Sequence, residues 1–412
     1  MMHADSAASE TCSGTQPKGL EPRPPTPMTW RMVGVPAPVF PGFEFDILDR
    51  VPSEDKPDAI WHRDRARAIL KAHPEIRELF GHEPSTAVWC VLAASLQLLL
   101  AFVAGFWLPW WGAILTAWLI GAPLNIVLFQ LAHECDHHLV FKSSRWNRWL
   151  FTYTSLPMFF LGHHTWWIDH IIHHNDMSAP KDFVMRRRAV YLGMRHLPPL
   201  FVPYGAFVCV TQFLRTGLGL FLYLVTSLLR FRVTPSDVSL AVLGDVHLVS
   251  GYKKEKIELW AVVYPVISLA IFGALWWLAG WQAILYLAPS QLFFTGFLHP
   301  YCLGWVLAIS HVHNRDRFQP TASHYGKWVN LTTFNAGLHV EHHDLMGIPW
   351  QQLPKLRRLA PEFYEDLVPL SSYIALALRF TFASSDRFIS LFDADTVNLT
   401  RRLITRAQKR QA

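Results

Sequence analysis

The sequence predicts an all-α integral membrane protein. Its expected form is four transmembrane helices in two hairpins, with a cytosolic His-box di-metal cap and interfacial helices. Three observations predict it. First, residues 84–133 and 259–314 contain no Asp, Glu, Lys or Arg over 50 and 56 positions. Each stretch suits two crossings of about 20 residues and a short turn. Second, ten Lys and Arg precede the first stretch, 14 lie between the two and 13 follow, which accounts for all 37. The turns therefore carry none, and the positive-inside rule places the N-terminus, the middle segment and the C-terminus in the cytosol. Third, three histidine clusters fall on that one side: HECDHH at 133–138, HIIHH at 170–174 and HVEHH at 339–343.

Composition agrees. Hydrophobic residues make up 51% and charged residues 17%, which moves the chain away from soluble enzymes. Eighteen Trp suit the membrane–water boundary. The five Cys are scattered without a CxxC pair, which excludes a disulfide framework and a thiolate metal site. The net charge of +6 sits on the cytosolic flanks, where it fits an anionic membrane surface and not a nucleic acid.

In chain order, residues 1–57 lack apolar periodicity and contain EPRPPTP, so a disordered cytosolic tail is expected. The start, MMHA, offers neither a signal peptide nor a myristoylation site. Between Trp61 and Phe80, Ile69, Leu70, Ile76 and Leu79 alternate with charges, and Pro74 divides two short interfacial helices. The hairpin turns are expected at LPWWG, 108–112, and at Ala279-Gly280-Trp281. The middle segment, 139–257, contains apolar runs at 150–162 and 213–231. The second run is flanked by Arg215, Arg230 and Arg232, and a fifth crossing there would put HVEHH on the wrong face. Both runs are therefore expected at the interface. The membrane domain spans 58–375, and 376–412 is a basic cytosolic tail ending RRLITRAQKR. The sequons at Asn330 and Asn398 fall on the cytosolic side and are expected to stay unmodified.

The histidines carry the chemistry. His339, His342 and His343 stand at i, i+3 and i+4, on one face of a helix. His170, His173 and His174 repeat the spacing, and His133 and His137 lie one turn apart. The bland alternative is a set of polar histidines at a membrane surface, but two HxxHH patterns among 21 His exceed chance placement. These eight side chains outnumber the ligands of one four-coordinate metal. Imidazole without thiolate selects iron, zinc or copper. Beside a bilayer the natural substrate is a lipid chain. Breaking its unactivated C–H bonds needs an oxidant, which redox-inert zinc cannot supply. A di-iron centre with O₂ as co-substrate fits both the ligand count and the place. His138, at i+5, points about 140° away from His133. His163 and His164 are read as interfacial, and His299 and His313 are left unassigned. Glu134 and Glu341 lie inside boxes, where they can orient imidazoles or simply face solvent.

Two other classes compete. HECDH also fits the HExxH zinc-protease motif with Glu134 as general base, but that reading gives boxes two and three no role. A metal transporter would need polar spans, and Ser95, Gln97, Asn125, Gln130 and Gln291 are few for a conduction path.

The chain resembles the membrane fatty-acid desaturase/hydroxylase superfamily, and within it the sphingolipid Δ4-desaturases acting on dihydroceramide. The resemblance rests on AHPEIRELF (72–80), WNRWLF with the following LPM (146–158), LTTFNAGLHVEHHDLMGIPW (331–350) and APEFYEDL (360–367), with a looser match at 297–311. It covers roughly 60–370. The boxes alone mark the superfamily, whereas 331–367 is specific for the sphingolipid branch. The resemblance implies two iron ions (Fe2+/Fe3+) held by the three boxes, with His311 as a further ligand. It also implies either desaturation or C-hydroxylation of a membrane lipid. Three positions depart from the family pattern. HECDHH stands for HExxHN, Asn175-Asp176 for Arg-Tyr, and Ser310-His311-Val312 for Glu-His-Tyr. They leave the substrate and the outcome open. No His-Pro-Gly-Gly haem motif and no GxGxxG after a strand are present. Electrons are therefore expected from a separate cytochrome b5 or a ferredoxin with its reductase. The membrane is the endoplasmic reticulum in a eukaryote or the inner membrane in a bacterium.

Overall fold

A computed structural model describes residues 57–158, 260–301 save 297, and 319–370, with isolated positions between 170 and 221 and between 372 and 382. Most of the expected tails, most of the run at 213–231, and His163, His164, His311, His313 and Asn398 lie outside the described residues. Among the described residues the chain is helical and has no strand, only one isolated bridge between His324 and Leu370.

Helix α1, Pro57–Ala72, leads into a 3-10 turn at Pro74–Leu79, so Pro74 divides the segment as expected. Helix α2, Thr86–Trp107, holds 22 residues without a charge. It buries Cys90, Ala93, Ala94, Gln97, Ala101 and Ala104, a stripe at intervals of three and four residues. Outward it shows Val91, Leu92, Leu96, Leu99 and Phe106. The chain turns at Leu108-Pro109 and re-enters as α3, Trp110–Thr116, which passes through a wider π-helical turn at Ala117–Gly121 into α4, Ala122–Asp136. Pro123 explains that turn: it has no N–H to donate, and its ring would crowd the carbonyl four residues back. Thr86–Trp107 and the 27-residue Trp110–Asp136 are long and apolar enough to cross a membrane.

After box one, Asn147 closes the connection. Its Oδ1 accepts from the N–H groups of Val140 and Phe141, and its Nδ2 donates to the carbonyls of Phe141 and Ser143. Helix α5, Ser144–Ser155, is capped by the Ser143 hydroxyl and exposes Trp146, Trp149 and Tyr153, the form expected of an interfacial helix. The second apolar pair is α6, Trp260–Ala279, and α7, Trp281–Thr295. Gly280 joins them at φ 83°, a left-handed conformation that glycine adopts without strain. The turn thus falls where the sequence places it.

The four apolar segments pack through small residues. A Cβ on Gly121 would collide with the Ser290 side chain, and one on Gly105 with the backbone of Ala279. Between them runs a buried polar chain. Tyr286 Oη donates to Gln97 Oε1 (2.8 Å), Gln97 Nε2 to Asn125 Oδ1 (2.8 Å), and Asn125 Nδ2 to Gln291 Oε1 (3.2 Å). Of the polar residues singled out in the sequence, Gln97, Asn125 and Gln291 therefore bond one another across helices.

At the box-one end, a cap assembles from α1 and three short helices: α8, Lys327–Thr332; α9, His339–Asp344; and α10, Leu353–Leu359. Trp61, Ile69, Ile76 and Leu79 pack on Leu338, Val340, Leu345, Ile348, Leu353, Leu356 and Tyr364. The segments that resemble the sphingolipid branch at 72–80, 331–350 and 360–367 thus share one core. The Asn330 amide is engaged there, with Nδ2 donating to the carbonyls of His324 and Gly326.

Candidate metal centre

Three separate stretches supply the imidazoles. His133 sits on the last turn of α4, and His137 caps that helix one turn later, with the His137 N–H bonded to the His133 carbonyl at 3.1 Å. His138 then takes φ 57° and ends the helix, which turns it out of the cluster as its position at i+5 predicts. His170, His173 and His174 are helical in box two. His339, His342 and His343 occupy α9.

The boxes converge. One nitrogen from each of His133, His137, His170, His174 and His342 lies within 4.8 Å of all the others. The rings of His133 stand 4.4 Å from His170 and 4.6 Å from His342, and those of His137 stand 4.5 and 4.7 Å from the same two. A second group adjoins the first. His343 lies 4.3 Å from His174, 4.4 Å from His339 and 5.1 Å from His173, centroid to centroid. His174 therefore borders both groups, and boxes two and three touch directly. His299 instead packs on Trp118 at 4.9 Å, with its Nδ1 accepting from the Tyr301 N–H.

Metal chemistry fits these atoms. His133 Nδ1 and His137 Nε2 are buried and make no hydrogen bond among the described residues. Leaving buried polar nitrogens unpaired is costly unless something else meets them. Burial, reinforced by neighbouring imidazoles, pushes His170, His174, His342 and His343 well below the usual histidine value, and burial takes His137 down to about 3. The rings are thus neutral, the form that binds metal through a free lone pair.

The two glutamates are buried and do not face solvent, and each is hydrogen-bonded. Glu134 Oε2 accepts from the Trp350 N–H at 3.1 Å. Glu341 accepts from the Ser323 hydroxyl (2.6 Å) and the Tyr325 hydroxyl (3.0 Å). Among the described residues, neither carboxylate hydrogen-bonds an imidazole. The reason is angular: Glu134 is about 100° around α4 from His133, and Glu341 about 160° around α9 from His339. Glu134 ties α4 to the Trp350 backbone, and Glu341 ties α9 to the side chains of Ser323 and Tyr325. Glu134 Oε2 is thus engaged with the Trp350 amide and not with a box-one imidazole.

Sequence reasoning missed a further layer. Asp344 follows box three and is gripped from α1 by His62 and Arg65. Asp136 Oδ2 lies 3.9 Å from His170 Nδ1. Asp344 and Asp136 each adjoin a box residue in the sequence, a usable signal. Nothing in spacing points from position 344 to position 62.

Two membrane-capable helices with a buried multi-imidazole pocket at their end have the form of a membrane metal-binding protein. Comparison with known proteins narrows it. Residues 105–374 match the family model described as fatty acid desaturase, and residues 53–85 match that described as sphingolipid Delta4-desaturase (DES). The chain belongs to the fatty acid desaturase family. It is 28% identical over 340 residues to a sphingolipid delta(4)-desaturase of Candida albicans, covering 78% of this chain and 82% of that protein. Against a sphingolipid delta(4)-desaturase of Schizosaccharomyces pombe the values are 29% over 349 residues, 80% and 85%. Against a sphingolipid delta(4)-desaturase/C4-monooxygenase of Rattus norvegicus they are 28% over 333 residues, 79% and 89%.

Proposed function

We propose that this protein is an O₂-dependent, di-iron membrane lipid desaturase that introduces a double bond into a sphingoid base or acyl chain, as a dihydroceramide Δ4-desaturase does. One observation carries the reading: five imidazoles from three boxes bring their nitrogens within 4.8 Å of one another. His133, His137, His170, His174 and His342 would hold one iron. His173, His339 and His343, with His311, would hold the other. When bound, the pair of irons supplies the oxidising power that O₂ alone lacks toward a C–H bond. The chain's own part is to keep the imidazoles neutral, to bury them from bulk water and to fix them on short braced helices.

Four crossings in two hairpins, with 58–375 as the membrane domain and both tails cytosolic, put the boxes on one face next to lipid. The apolar lengths of α2 and of the continuous Trp110–Asp136 segment support the first hairpin, and the 20 uncharged residues of α6 followed by the Gly280 turn support the second. A separate cytochrome b5 or ferredoxin would deliver electrons there. The membrane would be the endoplasmic reticulum or a bacterial inner membrane. A second outcome, C-hydroxylation on the same scaffold, is favoured by the double name of the rat relative.

Lipid analysis of a host lacking sphingolipid desaturation, with and without this chain, tests the reading. His173→Ala and His342→Ala should each abolish the oxidised lipid while the protein still fractionates with membranes. Glu134→Gln should leave measurable activity, lowered by about 10–100-fold as for other supporting groups around a metal. Full activity in His173→Ala would sink the di-iron assignment, and complete loss in Glu134→Gln alone would revive the protease.

A further inference from the structure

Box three rides on a helix too short to hold its own shape. Helix α9 has six residues, His339–Asp344, and an isolated helix of that length is unstable in water. Its geometry must come from tertiary contacts. Glu341 anchors one side to Ser323 and Tyr325, and the Val340 N–H donates to Ser323 Oγ at 2.9 Å. Asp344 anchors the other side to α1.

Both Asp344 oxygens are engaged. Oδ1 faces His62 Nδ1 at 2.7 Å, and Oδ2 accepts from Arg65 Nε at 3.0 Å and Nη2 at 2.9 Å. All three residues are buried. A carboxylate only accepts, so His62 Nδ1 carries the proton, and Nε2 is left to accept from the Thr321 hydroxyl at 2.9 Å. With both nitrogens committed, His62 is no metal ligand, although its ring lies 5.1 Å from that of His343. Arg65 also donates to the Phe363 carbonyl at 2.8 Å and stacks over Trp61 at 4.5 Å. The N-terminal helix, the end of box three and the 360–367 segment meet at this carboxylate.

We propose that His62 and Arg65 are positioning residues of the metal centre, acting through Asp344 to hold the box-three turn and with it the imidazoles of His342 and His343. This rests on the di-iron reading. It makes α1 a strap over the second imidazole group, and it gives a task to the stretch matched by the sphingolipid Delta4-desaturase model. A hydrogen-bonded carboxylate one residue from a ligand limits that ligand's swing and so slows metal loss.

The test is iron retention by the purified full-length chain in detergent. Iron per folded chain and the rate of iron release to a ferrous chelator are measured, with melting temperature recorded separately. His62→Ala should release iron about 10–100-fold faster than the unsubstituted chain. His62→Asn keeps an amide N–H near the place of Nδ1 and should restore most of the retention. Thr321→Val, which removes only the partner of Nε2, should have a smaller effect in the same direction and carries the test with His62→Asn where His62→Ala fails to fold. A purely structural role would lower the melting temperature and leave the release rate from folded chains unchanged, which would overturn the proposal. Equal losses in His62→Ala and His62→Asn would overturn it too. An unsubstituted chain that binds no iron would overturn the di-iron reading together with this one.

Discussion

In the apolar bundle the inside is built from Ala101, Ala104, Ala113, Ala117, Ala279 and Ala283 around Phe272, Tyr286 and Leu287, while Leu92, Leu96, Leu99, Phe106 and Trp277 face outward. In the cap the inside holds Trp61, Ile69, Ile76, Ile348, Leu353, Leu356 and Tyr364, and Arg63, Arg67, Glu75 and Glu362 lie toward the outside. The inversion is what lipid around the first region and water around the second would produce. Lipid is as apolar as leucine, so a bundle gains nothing by hiding its leucines. It gains by letting small residues bring backbones together and by hydrogen bonds such as the Gln97–Asn125–Gln291 chain. Water drives large side chains inward, at about 1.5–3 kcal/mol for each one fully buried. The candidate metal centre sits at the seam. Box one ends a bundle helix, and box three hangs on the cap, so neither region builds the site alone.

Three substitutions probe the contrast. The largest effect is expected in the cap. Leu356→Ala empties a fully buried position and should cost about 2–5 kcal/mol, read as a lower melting temperature in detergent. A loss below about 1 kcal/mol would mean that the cap is not held by its apolar core. Next comes the bundle, where addition and not deletion should hurt. Gly121→Ala drives a methyl into the Ser290 side chain and should cost about 1–3 kcal/mol by overpacking. Pairing it with Ser290→Gly should recover most of that, a coupling that a double-mutant cycle measures directly. Strict additivity would refute the close approach.

The smallest effect is expected at the rim of the cap. His73 Nε2 meets Glu362 Oε1 at 2.5 Å, and Nδ1 lies 3.2 Å from Glu75 Oε1. The bond to Glu362 raises the His73 pKa against the slight burial, and the bond to His73 lowers that of Glu362. A raised imidazole stabilises fully below its unfolded value of 6.5 and loses that contribution as pH climbs through the raised folded value. A lowered carboxylate stabilises above its unfolded value of 4.5 and loses that contribution as pH falls through the lowered folded value. The pair therefore works in the window between. Glu362→Gln should cost less than about 1 kcal/mol because both groups meet solvent. The difference in melting temperature should be greatest near pH 6, about the free imidazole's range, and should vanish in alkali. A difference that goes on growing from pH 6 into alkali would contradict the pairing.

By itself the sequence determined what is local and periodic. The Pro74 break, the Gly280 turn and the spacing of the histidine boxes follow from proline and glycine geometry and the pitch of a helix, and the structure agrees, while the turn expected over 108–112 is confined to Leu108-Pro109, with Trp110 to Gly112 already helical. The shared side of the three boxes was also legible, from the distribution of Lys and Arg. Tertiary structure alone decided which imidazoles meet, so that His174 borders both His342 and His343. It also turned Glu134 to the Trp350 amide and brought His62 to Asp344 across 282 positions of chain. Spacing along a helix fixes direction only within that helix. A partner hundreds of residues away is chosen by how elements pack, and no period in the sequence records that choice.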